Sequence, residues 1–263
     1  MIPYFQVTKI SIGPIVLQAW GIMVALGLLA GTLVAYQEAK RRKQDPDNIL
    51  DASFWIILGS FLGARIFYVI GNSGFYLQEP LGVLKVWEGG MSIMGGFIGA
   101  LFAYLIFIRR KRISFWKLSD SIVFTLPLGI FLGRIGCFLI HDHIGKITTV
   151  PWGIQYLDGT IRHETALYDG LSVLALFIVF VMLRRYSWSQ KKGFYVASFM
   201  VWYGTSRFLT DFFRAQDLPL SDQRWFGLTA AQYVCLLLLI GGLYLFQRIF
   251  FNNFKKINNE KES

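Results

Sequence analysis

An all-α polytopic membrane protein, with about seven transmembrane helices and a small extracytoplasmic head, is the fold class that the sequence predicts. Three observations predict it. Of 263 residues, 54% are hydrophobic and 16% charged, against about 25% charged in soluble domains, and mean hydropathy is +0.48. Seven stretches approach the roughly 20 mostly apolar residues that cross a bilayer as a helix. Aromatic residues reach 17%, with 24 Phe and 8 Trp, which suits lipid-facing helices with interfacial belts. The same hydrophobicity excludes a disordered chain, and two cysteines cannot build a disulfide framework.

The first run, 15–36, has no basic segment before it and is long enough to span, so it reads as a span and not as a cleaved signal. The second, 52–71, carries Arg65. The third, 91–108, follows Gly89-Gly90 and contains Gly95-Gly96. Doubled glycines at a helix start suggest a bent entry or bared backbone amides that could face a phosphate. The fourth, 118–140, carries Arg134, and the fifth is 166–183. Between them lies the head, 142–163, with a hairpin over 151–161 turning at Asp158-Gly159. The sixth run, 194–213, carries Arg207, and the seventh is 229–251. Gly27/Gly31, Gly59/Gly63, Gly95/Gly99 and Gly129/Gly133 are each four apart, which lets membrane helices approach closely. Trp87, Trp152 and Trp225 read as one interfacial belt. With no internal repeat, 1–263 reads as a single integral membrane domain with the head inserted in it.

The formal net charge is +10. Seventeen basic residues follow the odd-numbered helices: Lys40, Arg41, Arg42, Lys43, Arg109, Arg110, Lys111, Arg112, Lys117, Arg184, Arg185, Lys191, Lys192, Arg248, Lys255, Lys256 and Lys261. Six lie on the opposite side: Lys9, Lys85, Lys146, Arg162, Arg214 and Arg224. The positive-inside rule then puts the N-terminus outside and the C-terminus in the cytoplasm. The excess is a topology signal, so no nucleic-acid partner is expected. Arg65, Arg134 and Arg207 remain within spans, where a charge marks a functional site or a buried partner.

Arg134, Cys137 and His141, three and four apart, share one helix face, and Asp142 and His143 follow at its outer mouth. All three histidines, His141, His143 and His163, fall on this side. Tyr203, Arg207, Asp211 and Arg214 form one polar stripe on the sixth helix. It is either an internal Arg207–Asp211 salt bridge or an anion site with an orienting carboxylate, since Arg suits bidentate phosphate recognition. The run Arg162-His-Glu-Thr-Ala-Leu-Tyr-Asp169 opens the fifth helix. Glu164 or Thr165 serves there as a cap, and Arg162 and His163 face the outer cavity. No metal site and no cofactor are expected. A helix would splay His141, Asp142 and His143 apart, no His-Glu-x-x-His is present, and the two cysteines read as packing residues. A nucleophile elbow is absent, and a covalent role for Cys137 ranks below packing.

Taken in order, Gly90-Met-Ser-Ile-Met-Gly-Gly-Phe-Ile-Gly99, Gly133-Arg-Ile-Gly-Cys-Phe with Gly145, Arg162-His with Leu167-Tyr-Asp169, and Tyr203-Gly-Thr-Ser-Arg-Phe with Asp211-Phe-Phe-Arg214 resemble bacterial prolipoprotein diacylglyceryl transferase. Ile12-Gly-Pro and Leu228-Thr-Ala-Ala-Gln232 join them. The resemblance implies a seven-helix plasma-membrane enzyme among membrane lipids. It moves diacylglyceryl from phosphatidylglycerol to the lipobox cysteine in the signal peptide of a preprolipoprotein and releases glycerol phosphate, the first step of lipoprotein maturation.

On that resemblance Arg134 and Arg207 match the family's essential arginines and meet the developing phosphate charge. His141, on the Arg134 face, stands as proton acceptor, with His163 the alternative, and Asp142 or Asp211 is the orienting carboxylate. Gly95, Gly96, Cys137, Gly145, Arg162, His163 and Tyr203 are supporting, substrate-binding positions. The chain departs from the family at Met94, where a His is the proposed base. It departs also at Cys137 and Ile140 (Asn), Asp142 and Asp211 (Glu) and Trp20 (Tyr). Two readings stay open. Either another histidine carries the standard reaction, or a paralog uses the lipid site on a different acceptor or as a non-catalytic lipid-binding or transport protein. A transporter would more often show repeated halves.

Overall fold

In lipid every backbone N–H and C=O must be paired internally, so long apolar runs fold as helices. The computed structural model describes residues 2–13, 15–86, 89–219 and 221–259; Trp87, Pro14 and Lys261 lie outside them. The helices are α1 (Ala19–Arg41), α2 (Asp47–Gly71), the short α3 (Ser73–Tyr76), α4 (Ile93–Lys111), α5 (Phe115–Ile140), α6 (Thr165–Leu183), α7 (Phe194–Thr210) and α8 (Ala230–Asn259). Among the described residues, six are long and apolar enough to cross a membrane. The remaining expected span, α7, has 17 residues, the short end of the spanning range. This is an all-α multi-pass membrane protein.

The first span starts later than its hydropathy suggests. Residues 15–18 are a strand, β3 (Ile15–Gln18), paired antiparallel with β2 (Lys9–Ile12). The Ala19 N–H goes back to the Thr8 carbonyl (3.0 Å). An apolar run of this length satisfies a strand as well as a helix, and the ladder decides.

The chain forms two compact units, Tyr36–Leu118 and the remainder, Met1–Ala35 with Ser119–Ser263. In the first, α2 and α4 meet at Gly59, Gly63, Gly95 and Gly99. A Cβ on Gly63 would strike the Gly95 carbonyl, and one on Gly99 the Gly59 carbonyl. The N–H groups of Gly95 and Gly96 both have partners. Ser92 caps α4, accepting from Gly95 N–H through its hydroxyl (3.3 Å) and from Gly96 N–H through its carbonyl (2.9 Å). Gly95 and Gly96 pack α4 against α2, with their amides taken up by Ser92. Arg65 is likewise architectural. Its five N–H donors reach the carbonyls of Val83, Gly89, Gly90, Gly82 and Lys85 at 2.6–3.2 Å, which is the full donor set of a guanidinium.

In the other unit, Phe124, Leu176, Phe180, Phe194 and Tyr195 form a buried core. Asp120 of α5 accepts the N–H groups of Gly193 (2.6 Å), Tyr195 (3.1 Å) and Val196 (3.2 Å). A carboxylate thus meets the orphan donors at the α7 N-terminus. A four-stranded sheet joins β1 (Ile2–Pro3), β5 (Ile154–Gln155), β6 (Ile161–Glu164) and β4 (Ile144–Ile147) in that order. β1 comes from the chain's start, outside 142–163. The turn between β5 and β6 includes Asp158-Gly159 but runs from Tyr156 to Thr160. Gly159, at φ +81°, donates to the Tyr156 carbonyl (3.0 Å). A last hairpin, β7 (Arg224–Trp225) with β8 (Leu228–Thr229), precedes α8.

Candidate active site

Three helices bring buried charges together. Asp169 projects from the first turns of α6, Arg134 from the end of α5 and Arg207 from α7. One oxygen of Asp169 takes both guanidiniums, Arg207 at 2.8 Å and Arg134 at 3.2 Å. The other accepts the Thr210 hydroxyl. Arg207 also reaches Asp211 at 3.4 Å. Asp211, fully buried, accepts the Thr229 hydroxyl (2.7 Å) and lies 3.9 Å from Arg224. Arg224 donates in turn to the Asp211 carbonyl (3.0 Å). Gln232 accepts the Thr229 N–H (3.0 Å) and donates to the Phe208 carbonyl (3.1 Å). Tyr203 stands close enough to Arg134 to interact with it electrostatically. Arg134, Arg207 and Arg224 thus converge on Asp169 and Asp211 in a desolvated setting, where charge interactions are strengthened. Of the two readings of the α7 stripe, the Arg207–Asp211 pair exists, but Asp169 is the nearer partner.

The histidine that touches this cluster is His143. Its Nε2 lies 3.0 Å from Arg134 Nη1, and its Nδ1 contacts Asp142. A guanidinium only donates, so Nε2 is the acceptor. The ring proton then sits on Nδ1 and is given to Asp142. The cause is local. α5 stops at Ile140, and His141 takes a left-handed conformation at φ +51°, so Asp142 and His143 fold back over the last helical turn. Continuous helical spacing would have splayed them. The turn gathers Cys137, Asp142 and His143 instead, with one donor atom from each within 4.8 Å of the others.

His141 is placed differently from the expectation. Its Nδ1 meets Glu164 (2.7 Å) and its Nε2 the Phe5 carbonyl (2.6 Å), so both nitrogens face acceptors. Tyr4 stacks on the ring at 4.9 Å, and Phe5, Phe138 and Tyr156 meet it edge-on. Burial works against its charged form, but the Glu164 hydrogen bond and charge outweigh it, and the pKa lies above the ordinary imidazole value. With both nitrogens facing acceptors, the ring offers no free lone pair in this arrangement. Burial pushes His163 the other way, toward the neutral form; its Nδ1 pairs with the Tyr168 hydroxyl (2.7 Å).

Arg162 is clamped by Asp217 through two contacts (3.1 and 2.5 Å). That hydrogen bond raises Arg162 and holds Asp217 down at about 2. Gly145 lies where β4 pairs with β6, and a Cβ there would strike the His163 carbonyl. Both positions build the four-stranded sheet. Sequence reasoning gave no role to Asp169, Thr229 or Gln232, and it placed His143 at the outer mouth without choosing it as the base. Asp169 stood in the quoted motif as an acidic residue inside a span, which was signal enough.

A family model described as prolipoprotein diacylglyceryl transferase matches residues 7–248. Proteins named phosphatidylglycerol–prolipoprotein diacylglyceryl transferase are similar over most of the chain. The one from Nitrosomonas europaea is 34% identical over 253 residues, covering 92% of this chain and 89% of its own. Those from Pseudomonas fluorescens (33%; 93% and 94%) and Listeria innocua (34%; 92% and 90%) are similar to the same degree.

Proposed function

The chain belongs to the prolipoprotein diacylglyceryl transferase family, and on that premise we propose that it transfers diacylglyceryl from phosphatidylglycerol to the lipobox cysteine thiol of a preprolipoprotein signal peptide. The observation that carries the reading is the Asp169 clasp on Arg134 and Arg207. In the reaction the thiol sulfur forms a bond to the glyceryl carbon while the carbon–oxygen bond to phosphate breaks. The electron pair stays on the departing glycerol phosphate, which gains a negative charge, and Arg134 and Arg207 are the donors that meet it. Asp169 and Asp211 set their geometry, and Tyr203 stands beside Arg134.

The thiol proton needs an acceptor. We assign it to Nε2 of His143, with Asp142 holding the ring through Nδ1. Incoming phosphate competes for Arg134 and so uncovers that nitrogen. Cys137 lines the same wall, His163 stays neutral beside Tyr168, and Arg162 with Gly145 fixes the strands over the mouth. The site calls for no cofactor.

The same reading puts the chain in a bacterial plasma membrane with its N-terminus and head outside and its C-terminus in the cytoplasm. The 17-to-6 distribution of basic loop residues supports this orientation. A C-terminal reporter that matures only in the cytoplasm should be active, and its failure there would reverse the orientation. For the activity, purified protein, phosphatidylglycerol vesicles and a lipobox peptide should give peptide mass-shifted by one diacylglyceryl group, plus free glycerol phosphate. Arg134→Ala and Arg207→Ala should each abolish both products. No product where a homologous transferase succeeds would overturn the assignment.

A further inference from the structure

We propose that Cys137, Asp142 and His143 form a binding site for a soft divalent transition metal, with zinc as the reference ion, and that its occupancy switches off the transfer proposed above. The donor set is one sulfur, one imidazole nitrogen and one carboxylate oxygen, all within 4.8 Å of one another. Mixed sulfur and nitrogen donors favour zinc or copper over magnesium and calcium, which take oxygen. Three protein ligands with an open fourth position are a known zinc arrangement.

Charge favours the same answer. A thiolate and a carboxylate balance a dication, so the complex is neutral beside the arginine cluster. With zinc–ligand bonds of about 2.0–2.3 Å, tetrahedral ligands stand roughly 3.5 Å apart, so the donors must close by about an ångström. Cys137 is buried on α5. Asp142 and His143 sit on the turn beyond the left-handed His141, with side chains 37% and 19% exposed, and can swing in. Cys235 offers a contrast. It is buried where α8 passes Gly204, in helix–helix packing.

The consequence for chemistry follows from the ring. In the present arrangement Nδ1 carries the proton and Nε2 accepts from Arg134. A metal on Nδ1 displaces Asp142's hydrogen bond and leaves the ring proton on Nε2. Nε2 then cannot accept a substrate proton, and its N–H points at an Arg134 donor. Metal binding therefore removes the base and disturbs one phosphate contact together. This second part rests on the reading under Proposed function; the site itself does not.

The test uses the reduced full-length protein in detergent, with Co²⁺ as the spectroscopic probe. The wild type and Cys235→Ser should show a thiolate-to-cobalt charge-transfer band saturating at one equivalent and bleached by Zn²⁺. Cys137→Ser should lose it while eluting as the wild type does on size exclusion, and His143→Ala should lose or shift it. No band in the wild type, or a band that survives in Cys137→Ser, overturns the site. Saturating Zn²⁺ should lower lipid transfer at least about tenfold, reversibly with a chelator; metal bound with the rate unchanged overturns the switch. If the protein transfers no lipid in metal-free buffer, the functional reading fails while the cobalt spectrum still decides the site.

Discussion

Arg65 and the Arg134–Arg207 pair are all arginines within membrane-spanning helices, and they are satisfied in opposite ways. Arg65 spends its five donors on five backbone carbonyls of the 82–90 segment. Its charge is solvated by neutral dipoles and its hydrogen-bonding capacity is exhausted, so it cannot take up an anion. Arg134 and Arg207 share a single carboxylate, with a histidine and a second carboxylate at the margins. Carboxylates hold a guanidinium in place while leaving donor directions for a phosphate. A buried arginine is therefore a functional residue or a structural strut according to what fills its fork, and the contrast can be broken from either side.

The largest effect is expected at the clasp. Asp169→Asn keeps the shape and removes the charge that aligns both arginines, and the transfer rate should fall about 10³-fold, in the range of losing a preorganised transition-state contact. Asp169 touches no substrate in this scheme, so the loss should appear in kcat more than in KM. A rate near wild type would class the clasp with Arg65 as architecture. Next comes His143→Gln, which keeps a polar side chain but no titratable nitrogen. It should cost roughly 10²-fold or somewhat more, a typical general-base contribution, and should flatten the pH–rate profile. His141→Gln measured beside it should leave that profile's shape intact. If the profile flattens in the His141 variant instead, the assignment of the base is reversed.

The other side of the contrast is tested at Arg65. Arg65→Met removes the guanidinium that these carbonyls share, which should lower stability by about 2 kcal/mol, read as a lower Tm in detergent. The transfer rate per folded molecule should stay within about twofold. Unchanged Tm with a collapsed rate would move Arg65 into the site.

How much of this was legible in the sequence follows from the range of each interaction. The spans were legible because lipid leaves the backbone little choice, and the α2–α4 contact because its glycines repeat at four. The arginines stood out as charges inside apolar runs. Three things did not follow. The β3 strand has the same local hydropathy as the helix it precedes, and only pairing with β2 separates them. Asp169 reaches Arg207 across 38 positions, a distance that no spacing rule covers. The choice between His141 and His143 turned on where α5 stops. Helical spacing put His141 on the Arg134 face, but one left-handed residue at the helix end sends His141 toward Glu164 and Phe5 and brings His143 to the arginine.

That exchange of histidines leads to the smallest and most particular effect. His141 has its pKa raised in the folded state by Glu164, against the opposing pull of burial. A group whose folded pKa exceeds its unfolded value, about 6.5 for histidine, contributes its full stabilisation below that unfolded value. The contribution is lost as pH rises through the folded value. The wild-type Tm should therefore carry a component that declines with increasing pH above about 6.5, and His141→Gln should remove that component. Glu164→Gln should remove it too, since the neutral amide no longer favours the imidazolium. A pH dependence of Tm identical in all three proteins would mean that His141 is not charged in the fold. One ring nitrogen would then be free, and His141 would return as a candidate base beside His143.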